Sequence, residues 1–365
     1  EDELFGIGDA LRAVGRGVFE LAPAGVMGED LDAPEQEMAW MRRLAGRIGR
    51  PVCFALSQNH QAPDDWRRML ELAAAAATEG AAVRPQVHAR TVSLLIGLTT
   101  LHPFLFVPSW QELAARPRRE QVALLADPAR RARLVTELTA MADDPIVAGF
   151  MDPARMFVLG DPPDYEPPPE SSVAALAARE GVSAWEKLYD LLVARDGREL
   201  LNSPVLNYAD GTLDPTYEML TRTVTAFGLG DGGAHCGQTC DASSTTFMLT
   251  HWVRDRRRGP RLPLELAVHK ITGATADLYG LGDRGRLLPG CKADLNLIDF
   301  DRLRLRRPEV VHDLPGGARR LIQRADGYVA TINAGEVIMA EGEDTGARPG
   351  RLLRGARPGP SSRPR

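Results

Sequence analysis

The sequence predicts an α/β protein, a (β/α) TIM-like barrel that lacks its first strands, followed by a small C-terminal β domain. Short, fully apolar runs alternate with amphipathic helices over residues 1–90, which is typical of a parallel sheet covered by helices. A later apolar run ends in Asp231, and barrel strands present catalytic groups at their C-terminal tips in this way. After Gly285, short strand-like runs separated by Gly, Asp and Pro turns predict the β domain.

The elements of the predicted barrel portion are identified by hydrophobic spacing. Apolar residues at i, i+3 and i+4 indicate helices, and short continuous apolar runs indicate buried strands. We expect helices at 3–16, 37–44, 64–78, 117–125, 128–141, 173–179, 184–194, 215–223, 245–253 and 263–280. We expect strands at 17–22, 51–56, 81–87, 146–150, 156–159, 200–205 and 225–231.

The expected domains are a catalytic barrel portion at 1–282, a small β domain at 283–343 and an extended tail at 344–365. The tail is rich in Gly, Pro, Arg and Ser, a composition that does not support a packed core. Only five or six strands of barrel type precede the one that ends at Asp231, whereas a complete barrel has about eight. We therefore expect two or three further strands upstream of Glu1, and the open edges of a partial barrel favour a homo-oligomer.

Composition and charge exclude several classes of function. The chain has 365 residues, of which 44% are hydrophobic and 25% charged, with a formal net charge of -5. We therefore expect neither a nucleic-acid nor a membrane partner, and no signal peptide or membrane-spanning run is visible. The four cysteines suit no disulfide framework, which favours the cytoplasm. Cys236 and Cys240 are spaced like metal ligands, but no second pair at finger spacing accompanies them.

The stretch from Asp231 to His235 is the strongest candidate for a functional turn. We expect Gly232 and Gly233 to let the chain turn sharply and bring its backbone close to a ligand. His235 follows Asp231 by four residues and can face the same pocket. The alternative is an ordinary strand-to-loop turn with a solvated carboxylate.

The segment 285–299, Gly-Arg-Leu-Leu-Pro-Gly-Cys-Lys-Ala-Asp-Leu-Asn-Leu-Ile-Asp, resembles the C-terminal signature of the amidohydrolase superfamily. In that superfamily the signature begins a small β-sandwich beside a (β/α) barrel. Matching pieces recur in order at 231–235, 249–255, 278–285, 312–315, 324–328 and 335–337. Together they resemble the N-acyl-D-amino-acid deacylase (D-aminoacylase) branch, strongly over 225–350 and mostly in topology over 1–160.

This resemblance implies hydrolysis of the amide bond of a small-molecule N-acyl amino acid, with one or two bound zinc ions activating water. Asp231 would be the general acid and base and a metal ligand. His88 is a further candidate metal ligand because it lies near a strand tip, although it does not match a family ligand; the alternative is a histidine that is hydrogen-bonded in the core. The candidate substrate-binding residues are His235, His251, Arg84 and Arg254. The two histidines follow Asp231 in the sequence and could face the substrate. The two arginines are included on chemistry alone, because a guanidinium pairs bidentately with a carboxylate. Arg90 is a further candidate for a carboxylate clamp on the same chemical ground, and the alternative for each arginine is a solvated side chain.

The sequence departs from the family pattern at the metal site. The family carries a His-x-His or His-x-Asp pair on its first strand, and no His-x-His occurs in this chain. The strand at 51–57 aligns with one that supplies a metal histidine, but has none. Most zinc ligands are therefore expected upstream of Glu1. The alternative is a non-catalytic barrel remnant or binding subunit that lacks a complete metal site.

Overall fold

A computed structural model describes residues 1–26, 34–228, 230 and 232–360. Asp231, the predicted strand-tip acid, lies outside the described residues, as does the end of the predicted tail, 361–365. None of the described helices is long and apolar enough to cross a membrane.

The helices in chain order are α1 (Asp2–Val14), α2 (Pro34–Ile48), α3 (Asp65–Thr78), α4 (Gln111–Ala114), α5 (Arg118–Leu125), α6 (Pro128–Ala140), α7 (Pro145–Phe150), α8 (Val173–Glu180), α9 (Ala184–Gly197), α10 (Asp214–Thr221), α11 (Ser244–Phe247), α12 (Leu264–Ile271) and α13 (Gly273–Leu278). A π-helix, Met248–Asp255, continues α11.

The strands are β1 (Phe19–Leu21), β2 (Val52–Ala55), β3 (Val83–Val87), β4 (Val92–Ile96), β5 (Phe157–Val158), β6 (Leu201–Leu206), β7 (Ala226–Phe227), β8 (Leu295–Ile298), β9 (Arg304–Leu305), β10 (Glu309–Leu314), β11 (Ala318–Ile322), β12 (Ala325–Asp326), β13 (Tyr328–Asn333), β14 (Glu336–Ala340) and β15 (Glu343–Asp344).

The central sheet is parallel, with strand order β1-β2-β3-β7. Val52 and Phe54 of β2 are buried in the same hydrophobic core as Leu44 of α2 and Leu70 of α3, so helices cover one face of the sheet. The predictions of strands at 17–22, 51–56 and 81–87 are confirmed. The count of five or six barrel strands is wrong for the described part, because four strands form an open sheet there.

A second sheet, with order β4-β6-β5, is antiparallel and lies in the long segment between β3 and β7. The strands predicted at 156–159 and 200–205 belong to it rather than to a barrel. The strand predicted at 146–150 is wrong, since this segment is the helix α7. Asp144 caps that helix by accepting the backbone N–H groups of Ile146 and Val147, and Pro145 occupies its first position.

The C-terminal region is built from antiparallel sheets, β15-β14-β13-β8, β10-β11 and β12-β9. Beyond β15 the chain is extended, and Arg357 forms a bridge with Leu281. The single helix predicted at 263–280 is two helices, α12 and α13, because the backbone of Thr272 leaves the helical region (φ -126°, ψ -91°).

Candidate functional site

The carboxyl ends of β2, β3 and β7 meet at one edge of the parallel sheet, and His88 follows β3 there. His88 is fully buried, and neither ring nitrogen has a hydrogen-bond partner among the described residues. Burial lowers the pKa of His88 to about 4, with the nearby Asp241 acting against this and Arg90 adding to it. His88 is therefore a neutral imidazole near pH 7. The lone pair on its unprotonated nitrogen is free to accept a hydrogen bond or to bind a cation.

Arg90, two residues further along, is bound to the segment that precedes α11. Its guanidinium lies 3.1 Å from Asp241 Oδ1 and 3.2 Å from Ser243 Oγ, and it also donates to the carbonyl of Cys240. It lies over the ring of Tyr165, 4.1 Å from the centroid. These contacts make Arg90 a group that positions the segment 240–243, rather than a free clamp for a substrate carboxylate.

The residues on either side of Asp231 lie against the same segment. A Cβ added to Gly230 would be 2.8 Å from Ser244 Oγ and 3.4 Å from the carbonyl of Asp241. The N–H of Gly232 donates to the carbonyl of Gly230 at 2.7 Å. Gly230 and Gly232, the described neighbours of Asp231, thus lie beside the start of α11.

The turn after this strand differs from the expectation. Neither Gly232 nor Gly233 has a positive φ, whereas His235 does (φ 49°). The carbonyl of His235 accepts the N–H groups of Gln238 and Thr239, at 2.7 and 2.9 Å, and its side chain is exposed. His235 therefore makes the left-handed turn itself, and whether it contacts a substrate stays a prediction.

His251 lies in the π-helix and lines a cleft of about 1130 Å³. The cleft is bounded by residues of 161–166, 247–261, 304–309 and 324. The imidazole of His251 stacks on the ring of Phe247, with centroids 4.4 Å apart. Its Nε2 lies 2.9 Å from Oε2 of Glu166, at ion-pair distance but outside hydrogen-bond geometry.

Glu166 forms the buried end of this contact. Arg256 donates to both of its carboxylate oxygens, at 3.0 and 2.8 Å, and the N–H of Leu213 donates at 2.8 Å. Burial alone would raise the pKa of Glu166, but the contacts with His251, Arg256 and Leu213 outweigh it and hold the pKa well below its usual range. Glu166 is therefore ionised near pH 7 and is not a proton donor there.

The two candidate arginines lie apart. Arg254 lines the cleft, pairs with Asp255 at 2.7 Å and donates to the carbonyls of Phe300 and Leu303. Arg84 lies near the start of β3 and lines a different, shallower depression with residues of α3 and the segment before β7. The structure thus places Arg84 toward the amino ends of the strands, at the other end of the sheet from His88.

The described residues do not complete a metal site. No three His, Cys, Asp or Glu side chains come together as ligands within 1–26, 34–228, 230 and 232–360. Burial raises the pKa of the Cys240 thiol to about 11, and of the Cys53 thiol to about 12, so both stay protonated near pH 7. His88 offers one unpartnered imidazole, and two further donors do not stand beside it in the described part of the chain.

Sequence reasoning missed three residues that shape the cleft: Tyr165, Glu166 and Arg256. The first two lie in the Pro-rich segment 162–169, whose sequence has neither helical nor strand periodicity. The run of arginines at 254–261 is a signal that could have identified a charged surface.

The profile of the amidohydrolase family matches residues 5–339. An uncharacterized protein of Mycobacterium tuberculosis is 27% identical over 184 residues, which cover 48% of this chain and 29% of that protein. An N-acyl-D-aspartate deacylase of Alcaligenes xylosoxydans xylosoxydans is 39% identical over 109 residues, which cover 30% of this chain and 19% of the deacylase.

Among solved structures, a D-aminoacylase mutant in complex with copper chloride superposes with a TM-score of 0.51 at 18% identity, covering 97% of this chain and 59% of that one. A D-aminoacylase described by the role of its binuclear metal center superposes with a TM-score of 0.50 at 19% identity, covering 95% and 57%. The chain thus spans less than two thirds of the length of these proteins. At this identity the likeness shows a shared fold.

Proposed function

The chain belongs to the amidohydrolase family, and on that basis we propose that it hydrolyses the amide bond of N-acyl amino acids, a carbon–nitrogen bond other than a peptide bond. N-acyl-D-amino acids are the proposed substrates. The support comes from the segment similar to an N-acyl-D-aspartate deacylase and from the fold shared with D-aminoacylases. We place the protein in the cytoplasm because all four cysteines are free.

The observation that carries this proposal is the location of Gly230 and Gly232, the two residues next to Asp231 in the sequence. Gly230 and Gly232 lie against residues 241–244, which Arg90 binds from the end of β3, and His88 lies beside them. We assign Asp231 as the general base that takes a proton from water as the water oxygen attacks the amide carbon. The same carboxyl then gives the proton to the departing nitrogen as the carbon–nitrogen bond breaks.

The remaining site residues are proposed on weaker grounds. His235 follows Asp231 closely enough to contact the substrate, and His251 and Arg254 lie in the neighbouring cleft. Arg84 lies toward the other end of the sheet, so its role as a substrate clamp has the least support. Zinc stays in the proposal as a bound ion for which His88 offers one donor, although the described residues do not complete its site.

A second candidate function is a binding subunit without catalysis. It is favoured by the lack of a group of three metal-ligating side chains in the described part of the chain. The metal content of the purified protein separates the two candidates: bound zinc together with hydrolysis supports the enzyme, and a folded protein with neither supports the binding subunit.

The enzyme proposal is tested with a panel of N-acetyl amino acids in paired D and L forms, incubated with the purified protein with and without added zinc. Release of the free amine is measured. We expect release from the D forms to exceed release from the L forms. Absence of release from every member under both conditions would contradict the proposal.

A further inference from the structure

The cleft that His251 lines has an unusual charge. Its walls carry eight arginines but five acidic residues. The arginines are Arg254, Arg257, Arg258, Arg261, Arg304, Arg306, Arg307 and Arg324, and the acidic residues are Asp161, Asp164, Glu166, Asp255 and Glu309. One of those acids, Glu166, accepts hydrogen bonds from the guanidinium of Arg256, a buried residue that does not line the cleft, and this pairing offsets its negative charge. The lining is therefore cationic although the whole chain has a net charge of -5.

Five of these arginines have carboxylate partners of their own. Arg254 pairs with Asp255, Arg307 with Glu199 and Arg324 with Glu309, while Arg304 and Arg306 share the single carboxylate of Asp326. These four carboxylates offset four of the five positive charges, and one charge is left over where Arg304 and Arg306 share Asp326.

Three others have no carboxylate partner within 4.0 Å among the described residues: Arg257, Arg258 and Arg261. Arg258 donates to two backbone carbonyls, at 3.2 Å each, and to the hydroxyl of Tyr208. Arg261 donates to the carbonyl of Arg256 at 2.9 Å. All three come from one short segment after the π-helix, so their uncompensated charges are concentrated at one end of the cleft.

Part of the cleft lining is apolar. Phe247, Leu305, Pro162 and Pro308 line it beside the imidazole of His251. Tyr165 also lines the cleft, and its ring carries the guanidinium of Arg90. Tyr165 thus stands between the cleft and the strand ends where Asp231 is proposed to act.

We propose that Arg257, Arg258 and Arg261 form a second binding site within this cleft, apart from the substrate-binding role proposed for His251 and Arg254, for a small organic molecule that carries two or more oxyanion groups, either carboxylates or phosphates. Its anionic groups bind the guanidiniums of Arg257, Arg258 and Arg261, whose planar forks match both kinds of oxyanion. The carbon skeleton of the ligand packs on the apolar side chains of Phe247 and Leu305. The volume of about 1130 Å³ slightly exceeds the usual range of roughly 300–1,000 Å³ for small-molecule sites, so the cleft has room for such a ligand.

Isothermal titration calorimetry at low ionic strength tests the site with two probes, citrate for carboxylates and pyrophosphate for phosphates. We expect one-to-one binding of at least one probe, weakened by added salt. The double variant Arg257→Ala/Arg261→Ala should weaken binding by at least roughly tenfold. The exposed Arg302, which does not line the cleft, supplies the matched control Arg302→Ala, with an affinity within about twofold of the wild type.

A charge-retaining variant separates recognition from folding. Arg257→Lys/Arg261→Lys keeps both charges but loses the forks, so its affinity should lie between those of the wild type and the alanine variant. Amide hydrolysis should be the same in all of these proteins, which keeps this test independent of the proposed function. The inference is overturned if neither probe binds, if the alanine variant binds like the wild type, or if a short oligonucleotide binds while both probes fail.

Discussion

The guanidinium of Arg256 donates a hydrogen bond to each carboxylate oxygen of Glu166, at 3.0 and 2.8 Å, and both side chains are almost fully buried. Arg256 follows the π-helix, and Glu166 belongs to the long segment between β3 and β7. The pair therefore ties that inserted segment to the core and fixes the neighbouring Tyr165 as one wall of the cleft.

Removing one charge of this pair should be costly. Glu166→Gln leaves Arg256 buried with only the half-exposed Asp214 as a carboxylate partner, so we expect a loss of about 3 kcal/mol in the free energy of unfolding. Denaturant unfolding measures it. The pair of Arg254 and the exposed Asp255 provides the control, since Asp255→Asn should cost less than about 1 kcal/mol. Equal losses in the two variants would show that burial of the first pair is unimportant.

His102 should make the protein sensitive to acid. It is buried against Phe104 and Trp110, and burial, with a contribution from Arg319, lowers its pKa to about 3. The unfolded chain takes up this proton near pH 6.5, so stability is complete above that pH and falls as the pH drops toward the folded value.

The size of this effect follows from linkage, on the order of 2 kcal/mol between pH 6.5 and 5. His102→Leu should therefore show a correspondingly weaker acid dependence in denaturant unfolding at pH 7, 6 and 5. The account of His102 is wrong if the variant loses stability with acid as steeply as the wild type.

Lys270 forms hydrogen bonds with the segment that directly precedes β7. Its Nζ donates to the carbonyls of Arg222 and Thr225, at 2.7 and 2.6 Å, and to Thr225 Oγ1 at 2.9 Å, and the side chain is buried. Lys270→Met keeps much of the volume but leaves these acceptors unpaired, so we expect a loss of about 2 kcal/mol in thermal or denaturant unfolding. The exposed Lys292 gives the control, and Lys292→Met should be nearly neutral.

Much of the central sheet could be predicted because β2 is a continuous apolar run between two helices, while β3 follows α3 closely and buries every second residue. β4 was missed because it follows β3 after four residues, without the Gly or Pro that usually separates two strands. The apolar residues of α7 are also typical of a strand. The segment is a helix because Asp144 caps its first N–H groups and Pro145 suits the first helical position. The contact between Glu166 and Arg256 joins residues far apart in the chain, so no local pattern contains it.

The fit of the strand end against α11 should be needed for catalysis. Gly230→Ala places a Cβ 2.8 Å from Ser244 Oγ and pushes the neighbouring Asp231 away from its position, so amide hydrolysis should fall by at least roughly tenfold. Gly233 has open space around it and no positive φ, which makes Gly233→Ala the matched control. Kinetics on an N-acyl-D-amino acid compare the two. Equal rates would mean that the Gly230 contact does not position the reacting group.

The most direct test of the proposed function is the rate of amide hydrolysis by Asp231→Asn, measured on the best substrate of the N-acetyl panel. Asp196→Asn is the matched control, because Asp196 is an exposed acid with a positive φ that asparagine also tolerates. We predict that the Asp231 variant folds normally but loses activity by roughly a hundredfold or more, while the control keeps it. Wild-type turnover by folded Asp231→Asn would contradict the assignment of this carboxylate as general acid and base.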